Sequence, residues 1–242
     1  MKTPTKIKII GLGGIGGVLA NSISRFIGNH PDYDANSTGS TVCDIVLIDG
    51  DRFETGNIDR QDFENISNKA QEKVRMLSKK HPRVLFECVP EYITEDNVIM
   101  NIRENDVVLM CVDNHSTRRL VAERCEELDN IVLISGGNDE IDGNVQIHIK
   151  EGGFDITPSI LKYHPEIAEA EGDNPGEEDL EREGCEQQMN TTPQIIQANE
   201  MAANLMSLTF RNWANGNVDY SEIYFDIDNV SMLKYSLEMR PV

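Results

Sequence analysis

The sequence predicts an α/β fold in which a doubly wound, mainly parallel sheet has helices on both faces and a C-terminal antiparallel extension. Three observations predict it. Short apolar runs alternate along the chain with segments whose apolar residues recur at helical spacing. The run DVVLMCV, residues 106–112, is almost entirely apolar, as expected for a strand buried on both faces. Two further runs around an Asp228-Asn229 turn indicate a closing hairpin.

The predicted elements follow this alternation in order. The predicted strands cover residues 6–10, 43–48, 84–89, 106–112, 131–134, 143–149, 222–226 and 232–237. The predicted helices begin after the glycine turn that follows the first strand, at Ser67, at Thr94, at His115 and at Thr192. Pro193 would occupy the first position of the last helix, where its missing N–H is tolerated.

Size and charge limit the possible function classes. The chain has 242 residues and is 39% hydrophobic, which suffices for one large α/β domain or for two small ones. Its 42 acidic residues against 22 basic ones give a net charge of −20. Such a surface repels nucleic acids and anionic membranes, so neither is an expected partner. It suits a basic protein partner or simple solubility.

The start of the chain and its cysteines indicate a reducing, cytoplasmic location. No signal peptide precedes the first strand, and no apolar run approaches the ~20 residues that span a membrane. The five cysteines are odd in number and show no C-x-x-C spacing, so neither a disulfide framework nor a zinc ribbon is predicted. Cys43, Cys88 and Cys111 lie in apolar runs and are expected to be buried.

Residues 152–191 differ from the rest of the chain because they combine Pro and Gly with many acidic residues. We interpret them as a mobile acidic crossover loop with one helical turn near residues 159–163. Cys185 lies in this loop, shortly before the last helix. We interpret His148 and His164 as ordinary strand or surface residues.

A glycine turn follows the first strand. Gly11, Gly13 and Gly16 match G-x-G-x-x-G between a strand and a helix, with Gly14 inside the motif. The glycines allow phosphate to approach the backbone N–H groups at the helix start, so the motif predicts a Rossmann-like nucleotide site. A nicotinamide or flavin dinucleotide fits, with Asp49 on the ribose hydroxyls. A turn that serves packing alone is the remaining alternative.

The loop after the second strand favours ATP. It carries Asp49, Asp51, Asn57, Arg60 and Gln61, and Lys73 follows on the next helix. Two cations together with helix N–H groups suit a triphosphate better than the pyrophosphate of a dinucleotide. Asp113 and Asn114 end the fourth strand, at the edge where open sheets bind ligands. Asp113 could hold Mg²⁺ against phosphate oxygens, or it could be an ordinary helix cap.

Together these motifs resemble the ThiF/MoeB/HesA family of the ubiquitin-activating (E1-like) enzyme superfamily. The matching pieces are GLGGIGG at 11–17, LIDGD at 47–51, GNIDRQ at 56–61, Lys73 and CVDN at 111–114. Gly136-Gly137, Gln146-Ile147 and the Pro193 helix extend the resemblance almost to the end. The later part looks most like the small stand-alone ThiF-type proteins of plasmid and phage ubiquitin-like systems, the PRTRC type.

The resemblance implies a single adenylation domain over residues 1–242. It implies an ATP- and Mg²⁺-dependent adenylyltransferase that activates the C-terminal carboxylate of a small ubiquitin-like or sulfur-carrier protein, and a homodimer is expected. Asp49 would bind the ribose and Asp113 the Mg²⁺. Asn57, Arg60 and Lys73 would hold the phosphates, and Arg60 and Lys73 would stabilise the charge of the departing pyrophosphate.

Two features depart from the family pattern. Relatives usually carry an arginine in an N-terminal extension that reaches the partner subunit's ATP site, and here no arginine precedes the first strand. The zinc-binding cysteine pairs of many relatives are absent, so no zinc is predicted.

Cys185 is the candidate for a later thioester step, because some relatives use a cysteine of this loop as the nucleophile. Its acidic neighbours Glu181, Glu183 and Glu186 oppose that role, since they would raise the pKa of the thiol. Two other functions stay open from the residues: an NAD-dependent oxidoreductase, and a non-catalytic nucleotide-binding subunit of a conjugation system.

Overall fold

The structure, a computed structural model, describes residues 2–30, 44–54, 56, 61–170 and 196–236. The strands are β1 Lys6–Ile10, β2 Asp44–Ile48, β3 Phe86–Val89, β4 Val107–Met110, β5 Ile131–Asn138, β6 Asp142–Glu151, β7 Phe154–Asp155, β8 Glu222–Asp226 and β9 Ser231–Tyr235. The helices are α1 Gly14–Asn29, α2 Lys69–Lys80, α3 Val98–Asn101, α4 His115–Glu126, a 3-10 helix Ile160–Lys162, α5 Pro165–Ala168 and α6 Ile196–Ala214.

All nine described strands belong to one sheet. Its main order is β3-β2-β1-β4-β5-β6-β8-β9, and β7 pairs with β6. The first five of these strands are parallel. From β6 onward the pairing is antiparallel. The predicted α/β fold, mainly parallel with an antiparallel C-terminal extension, is therefore confirmed.

The strands alternate their side chains between two cores. On one face, Ile7 and Ile9 of β1 pack in a cluster that includes residues of α1, α2 and α6. On the other face, Ile10 of β1 and Val46 of β2 pack with residues of α3, α4, the 3-10 helix and α5. The helices thus cover both faces, as expected for a parallel sheet whose strands are apolar throughout.

Several element boundaries differ from the predicted ones because of tertiary contacts. Asn68, rather than Ser67, caps α2, since its side chain accepts the N–H of Gln71 at 3.1 Å. The third strand begins at Phe86. β5 continues four residues beyond the predicted end at residue 134, because Ser135, Gly136 and Gly137 pair with β6.

Cys88 differs from the prediction in its burial, because it is exposed on β3 at the edge of the sheet. His148 lies on strand β6, in line with its interpretation as a strand or surface residue, and it is buried. His164 precedes α5 and is buried rather than at the surface. Each histidine has a hydrogen-bonded carboxylate, Asp155 for His148 at 2.8 Å and Glu166 for His164 at 2.9 Å.

The described start of the predicted crossover loop is folded. The predicted helical turn near residues 159–163 is present as the 3-10 helix, and α5 follows it. Ile160 and Ile167 are buried against the core below α4. Within the described part of the chain, no helix has the length and apolar character needed to cross a membrane.

Candidate functional site

A cleft of about 820 Å³ opens at the carboxyl ends of the parallel strands. β1 lies between β2 and β4, so the order in which strands are added along the sheet changes direction at β1. Open α/β sheets bind ligands at such a switch point. Residues just after β1, β2, β4 and β5 line the inner half of the cleft. The outer half is lined by residues of β6, β8 and β9.

The glycine turn brings the start of α1 to this cleft. Gly11 has φ of +83°, a left-handed conformation that favours glycine, and a Cβ there would lie 3.0 Å from the backbone of Cys111. A Cβ on Gly16 would lie 1.8 Å from the carbonyl oxygen of Gly11. Gly13 precedes α1, and none of the described side chains caps the helix, so its first N–H groups can bind an anion.

Asp49 joins the end of β2 to the glycine turn. Its Oδ2 accepts the N–H of Leu12 at 2.6 Å, and its Oδ1 accepts the N–H of Asp51 at 2.8 Å. Burial raises the pKa of Asp49, while Lys69 and the two backbone donors act against that rise. The carboxylate lines the cleft beside the glycines, where a ribose would lie in a Rossmann-like site.

Asp51 belongs to a small polar cluster at the same end of the cleft. Lys69 donates to its Oδ2 at 2.9 Å, and the hydroxyl of Tyr92 donates to its Oδ1. The ring of Tyr92 lies on Gly50, where an added Cβ would be 2.5 Å from it. Asp51, Lys69 and Tyr92 all line the cleft, so the cluster forms a wall next to Asp49.

Asp113 and Asn114 lie across the cleft, at the end of β4. Asn114 caps α4, because its Oδ1 accepts the N–H of Thr117 at 2.8 Å. Asp113 is exposed and lines the cleft, and its charge acts on the guanidinium of Arg118 without a hydrogen bond or ion pair within the described residues. The helix cap is thus Asn114, which leaves the carboxylate of Asp113 available to a ligand.

Lys73 and Gln61 lie close to the glycine turn but do not line the cleft. Lys73 is buried on α2, and its Nζ would be 3.5 Å from a Cβ on Gly17 in the first turn of α1. Its ammonium donates to the carbonyl of Asp62, and burial lowers its pKa. The amide nitrogen of Gln61 would lie 4.0 Å from a Cβ on Gly13, and its Oε1 is buried without a partner among the described residues.

The remaining predicted site residues are Asn57, Arg60 and Cys185, and they lie outside the described residues. Within the described ranges no group of three or more His, Cys, Asp or Glu side chains could hold a metal ion. Mg²⁺ in nucleotide enzymes is commonly held by one or two carboxylates together with substrate phosphates, and Asp113 fits that donor set.

Sequence analysis missed several residues that line the inner cleft. Asn199 of α6 is buried and packs on Gly14, where an added Cβ would lie 2.6 Å from its Nδ2. Thr117 and Arg118 of α4 are also buried and line the cleft. Arg118 follows the CVDN motif by one helical turn, and this spacing was the one signal that could have found it.

The outer half of the cleft is built on a buried histidine. His164 Nε2 lies 3.0 Å from Glu222 Oε1 and from Gln146 Nε2, and its Nδ1 lies 2.9 Å from Glu166 Oε1. Burial disfavours the charged ring, but hydrogen bonds to the two carboxylates outweigh it and raise the pKa of His164. Glu166 and Tyr224 line the cleft above this cluster.

Comparison with known proteins finds relatives over most of the chain. Adenylyltransferase and sulfurtransferase MOCS3 of Drosophila virilis is 27% identical over 147 residues, which cover 59% of this chain and 29% of that protein. Ubiquitin-like modifier-activating enzyme 5 of Rattus norvegicus is 26% identical over 209 residues, which cover 78% of this chain and 46% of that protein. The chain thus spans less than half the length of these curated relatives.

Solved structures share the fold. The crystal structure of PaaA matches with a TM-score of 0.69 and 14% identity, over 98% of this chain and 65% of that one. E. coli MccB, crystallised with ATP, matches with a TM-score of 0.66 and 17% identity, over 98% of this chain and 64% of that one. The sequence pattern of the ThiF family matches residues 3–240, and the chain therefore belongs to the ThiF family.

Proposed function

We propose that the chain is an ATP-dependent adenylyltransferase that activates the C-terminal carboxylate of a small ubiquitin-like or sulfur-carrier protein. One observation carries the proposal: the start of α1, which no described side chain caps, the buried Asp49 and the exposed Asp113 face one cleft. Membership of the ThiF family and the names of the two curated relatives support it.

The chemistry needs alignment and charge stabilisation rather than a protein nucleophile. A carboxylate oxygen of the substrate attacks the α-phosphorus of ATP and forms the acyl–phosphate bond. The bond from the α-phosphorus to the bridging oxygen breaks, and its electron pair leaves with pyrophosphate. The attacking carboxylate is already ionised, so no general base is required. The protein would therefore accelerate the reaction by holding the carboxylate in line with the α-phosphorus of ATP and by stabilising the negative charge.

Individual residues take separate parts in this proposal. Asp49 binds the ribose hydroxyls while it fixes the glycine turn through Leu12. The N–H groups at the start of α1 bind phosphate oxygens. Arg60, Asn57 and Lys73 hold the phosphates, and Lys73 acts from behind the first turn of α1.

Asp113 would hold a Mg²⁺ ion together with phosphate oxygens. The fit rests on its exposed carboxylate, which lines the cleft and accepts no hydrogen bond from the described residues. When bound, the ion neutralises charge on the phosphates. We also propose that the chain acts as one domain and as a homodimer in the cytoplasm. In a later step the thiolate of Cys185 would attack the acyl carbon of the adenylate, form a thioester with the carrier and release AMP.

ATP–pyrophosphate exchange tests the proposal. The full chain is incubated with ATP, Mg²⁺ and ubiquitin-like and sulfur-carrier proteins of the organism that encodes it. We expect carrier-dependent exchange that Arg60→Ala and Asp113→Asn abolish. Asp96→Asn is the matched control, because Asp96 is an exposed carboxylate outside the cleft lining. An Arg60→Ala variant as active as the parent would contradict the proposal.

The two alternative functions give different results. Tight binding of NAD(H) without binding of ATP would indicate an oxidoreductase. Binding of ATP without pyrophosphate exchange, for every carrier tested, would indicate a non-catalytic nucleotide-binding subunit. A Cys185→Ala variant that still forms the adenylate but no thioester would separate the two proposed steps.

A further inference from the structure

Arg118 is a buried cation that donates only to neutral acceptors in the described part of the chain, and the charge of Asp113 acts on it without a hydrogen bond. The residue is 7% exposed. Its Nη1 donates to the hydroxyl of Ser135 at 2.8 Å, and its Nη2 donates to the carbonyl of Gly136 at 2.9 Å. Both acceptors are neutral. Buried arginines are usually paired with an anion, because desolvation of an unpaired charge is costly.

Thr117, the preceding residue, adds a second unsatisfied group. It is 4% exposed, and its hydroxyl is buried without a hydrogen-bond partner among the described residues. Its backbone N–H is already used by the cap at Asn114. Thr117 and Arg118 both line the cleft, so a hydroxyl donor and a guanidinium adjoin the same space. An oxyanion would satisfy both groups at once.

The backbone of β5 lets the guanidinium lie close to the strand. A Cβ on Gly137 would be 2.8 Å from Nη2 of Arg118, so any larger residue would displace it. The guanidinium carries more N–H donors than its two neutral acceptors use. It can therefore keep its contacts with Ser135 and Gly136 and still donate to a ligand in the cleft.

The strand order indicates which anion would meet Arg118. Asp49 follows β2 and the glycine turn follows β1, so in the proposed function the ribose and phosphates would lie on that side of β4. Arg118 contacts β5, on the opposite side of β4. Gly137 of β5 pairs with Asn144 of β6, in the outer half of the cleft. A group bound in the outer half would therefore lie nearer to Arg118 than to the glycine turn.

We propose that Arg118 and Thr117 bind the substrate carboxylate and hold it opposite the α-phosphate of ATP. The inference rests on the proposed function. The guanidinium can bind both carboxylate oxygens, and its charge offsets the repulsion between the carboxylate and the triphosphate. Arg118 and Thr117 would then touch the substrate directly. One carboxylate oxygen attacks the α-phosphorus as pyrophosphate leaves with the electron pair of the broken bond.

Matched peptide probes test this assignment. Acetyl-glycylglycine ends in a carboxylate, and acetyl-glycylglycinamide has the same shape without the charge. The full chain is saturated with a non-hydrolysable ATP analogue and titrated with each probe by calorimetry. We expect the parent to bind the acid about tenfold or more tightly than the amide, as charge-assisted hydrogen bonds imply. Arg118→Gln should remove the preference and leave the affinity for the ATP analogue unchanged.

Two further variants keep the test decisive. Thr117→Val keeps the shape of the side chain and should reduce the preference without disturbing the fold. Arg119→Gln is the control, because Arg119 pairs with Glu123 at 2.8 Å outside the cleft lining and should keep the full preference. If Arg118→Gln fails to fold, Thr117→Val and Arg118→Lys, which keeps the charge but loses the planar fork, decide the question.

Arg118→Lys should bind the acid less tightly than the parent, because the ammonium cannot bind both carboxylate oxygens in a planar fork. Loss of the acid preference in Arg118→Gln and Thr117→Val, with intact ATP-analogue binding, supports the proposal. Equal binding of acid and amide by the parent overturns it, and so does a variant that loses the ATP analogue rather than the acid. Neither result contradicts the proposed function, because that function is tested separately by pyrophosphate exchange with a carrier. A parent that fails to bind ATP overturns both.

Discussion

The carboxylate of Asp49 accepts the backbone N–H of Leu12 at 2.6 Å, and this bond ties the end of β2 to the glycine turn after β1. Its other oxygen accepts the N–H of Asp51 at 2.8 Å. One side chain thus shapes the phosphate-binding turn and also faces the cleft. The position of the turn depends on an acceptor that only an ionised carboxylate provides on both oxygens.

Asp49→Asn should weaken ATP binding by about tenfold to a hundredfold, because an amide NH₂ would face one of the two N–H donors. Isothermal titration calorimetry measures the change. With 2′,3′-dideoxy-ATP the parent should lose affinity, whereas the variant should bind both nucleotides equally. A variant that still prefers ATP would show that Asp49 does not bind the ribose hydroxyls.

Lys73→Met should lower the rate of pyrophosphate exchange by about a hundredfold, as removal of a preorganised charge commonly does, with a smaller effect on ATP binding. Because burial lowers the pKa of Lys73, exchange should also fall as pH rises through that lowered pKa. Lys79→Met is the control and should behave like the parent, because Lys79 is an exposed lysine of the same helix and is not among the charges that act on Lys73. Equal rates for Lys73→Met and the parent would exclude Lys73 from the reaction.

Glu72 supports the loop that leads to Gln61. Its carboxylate pairs with Arg75 and accepts the N–H groups of Glu64 and Asn65 at 3.0 and 2.9 Å. The hydrogen bond from Arg75, together with these loop donors, lowers the pKa of Glu72 to about 2 against burial, from an ordinary value of 4.5. The charged form is therefore favoured by folding.

Glu72→Gln should reduce the free energy of unfolding at pH 7 by about 1–3 kcal/mol. The folded pKa lies below the unfolded one, so this contribution is complete above pH 4.5 and is lost as pH falls towards 2. Urea unfolding of parent and variant at pH 7 and pH 3 should show a smaller difference at the lower pH. A constant difference would contradict the depressed pKa.

The contribution of His164 to the free energy of unfolding should have the opposite pH dependence. Its pKa is raised because hydrogen bonds to Glu222 and Glu166 outweigh burial, with Gln146 also in contact. The stability that it adds is complete below the unfolded pKa of 6.5 and is lost as pH rises through the higher folded pKa. His164→Gln should therefore cost more unfolding free energy at pH 6 than at pH 9. Equal costs at both pH values would mean that the buried ring is neutral.

The sequence predicted the parts of the site that have a local signal. The glycine turn, Asp49 and Asp113 each follow an apolar run directly, and all of them line the cleft. Asn199 packs on Gly14 from a helix near the other end of the chain, and no local pattern marks it. His164, which precedes α5, contacts Gln146 of β6 and Glu222 of β8. Contacts between distant elements decide both positions.

The end of β5 also could not be predicted from local sequence. Ser135, Gly136 and Gly137 have weak strand propensity and look like the start of a loop. Pairing with β6 extends the strand through these three residues. The carbonyl of Gly136 then accepts a hydrogen bond from Arg118. Propensity alone could not predict the extension or the contact.

The central claim is that the cleft joins AMP to a C-terminal carboxylate, and intact mass spectrometry of the carrier tests it most directly. The full chain is incubated with ATP, Mg²⁺ and each candidate ubiquitin-like or sulfur-carrier protein. We expect the mass of the carrier to rise by one adenylyl group, only with ATP, and not when its C-terminal residue is removed. ATP binding without an adenylated carrier and without pyrophosphate exchange would contradict it.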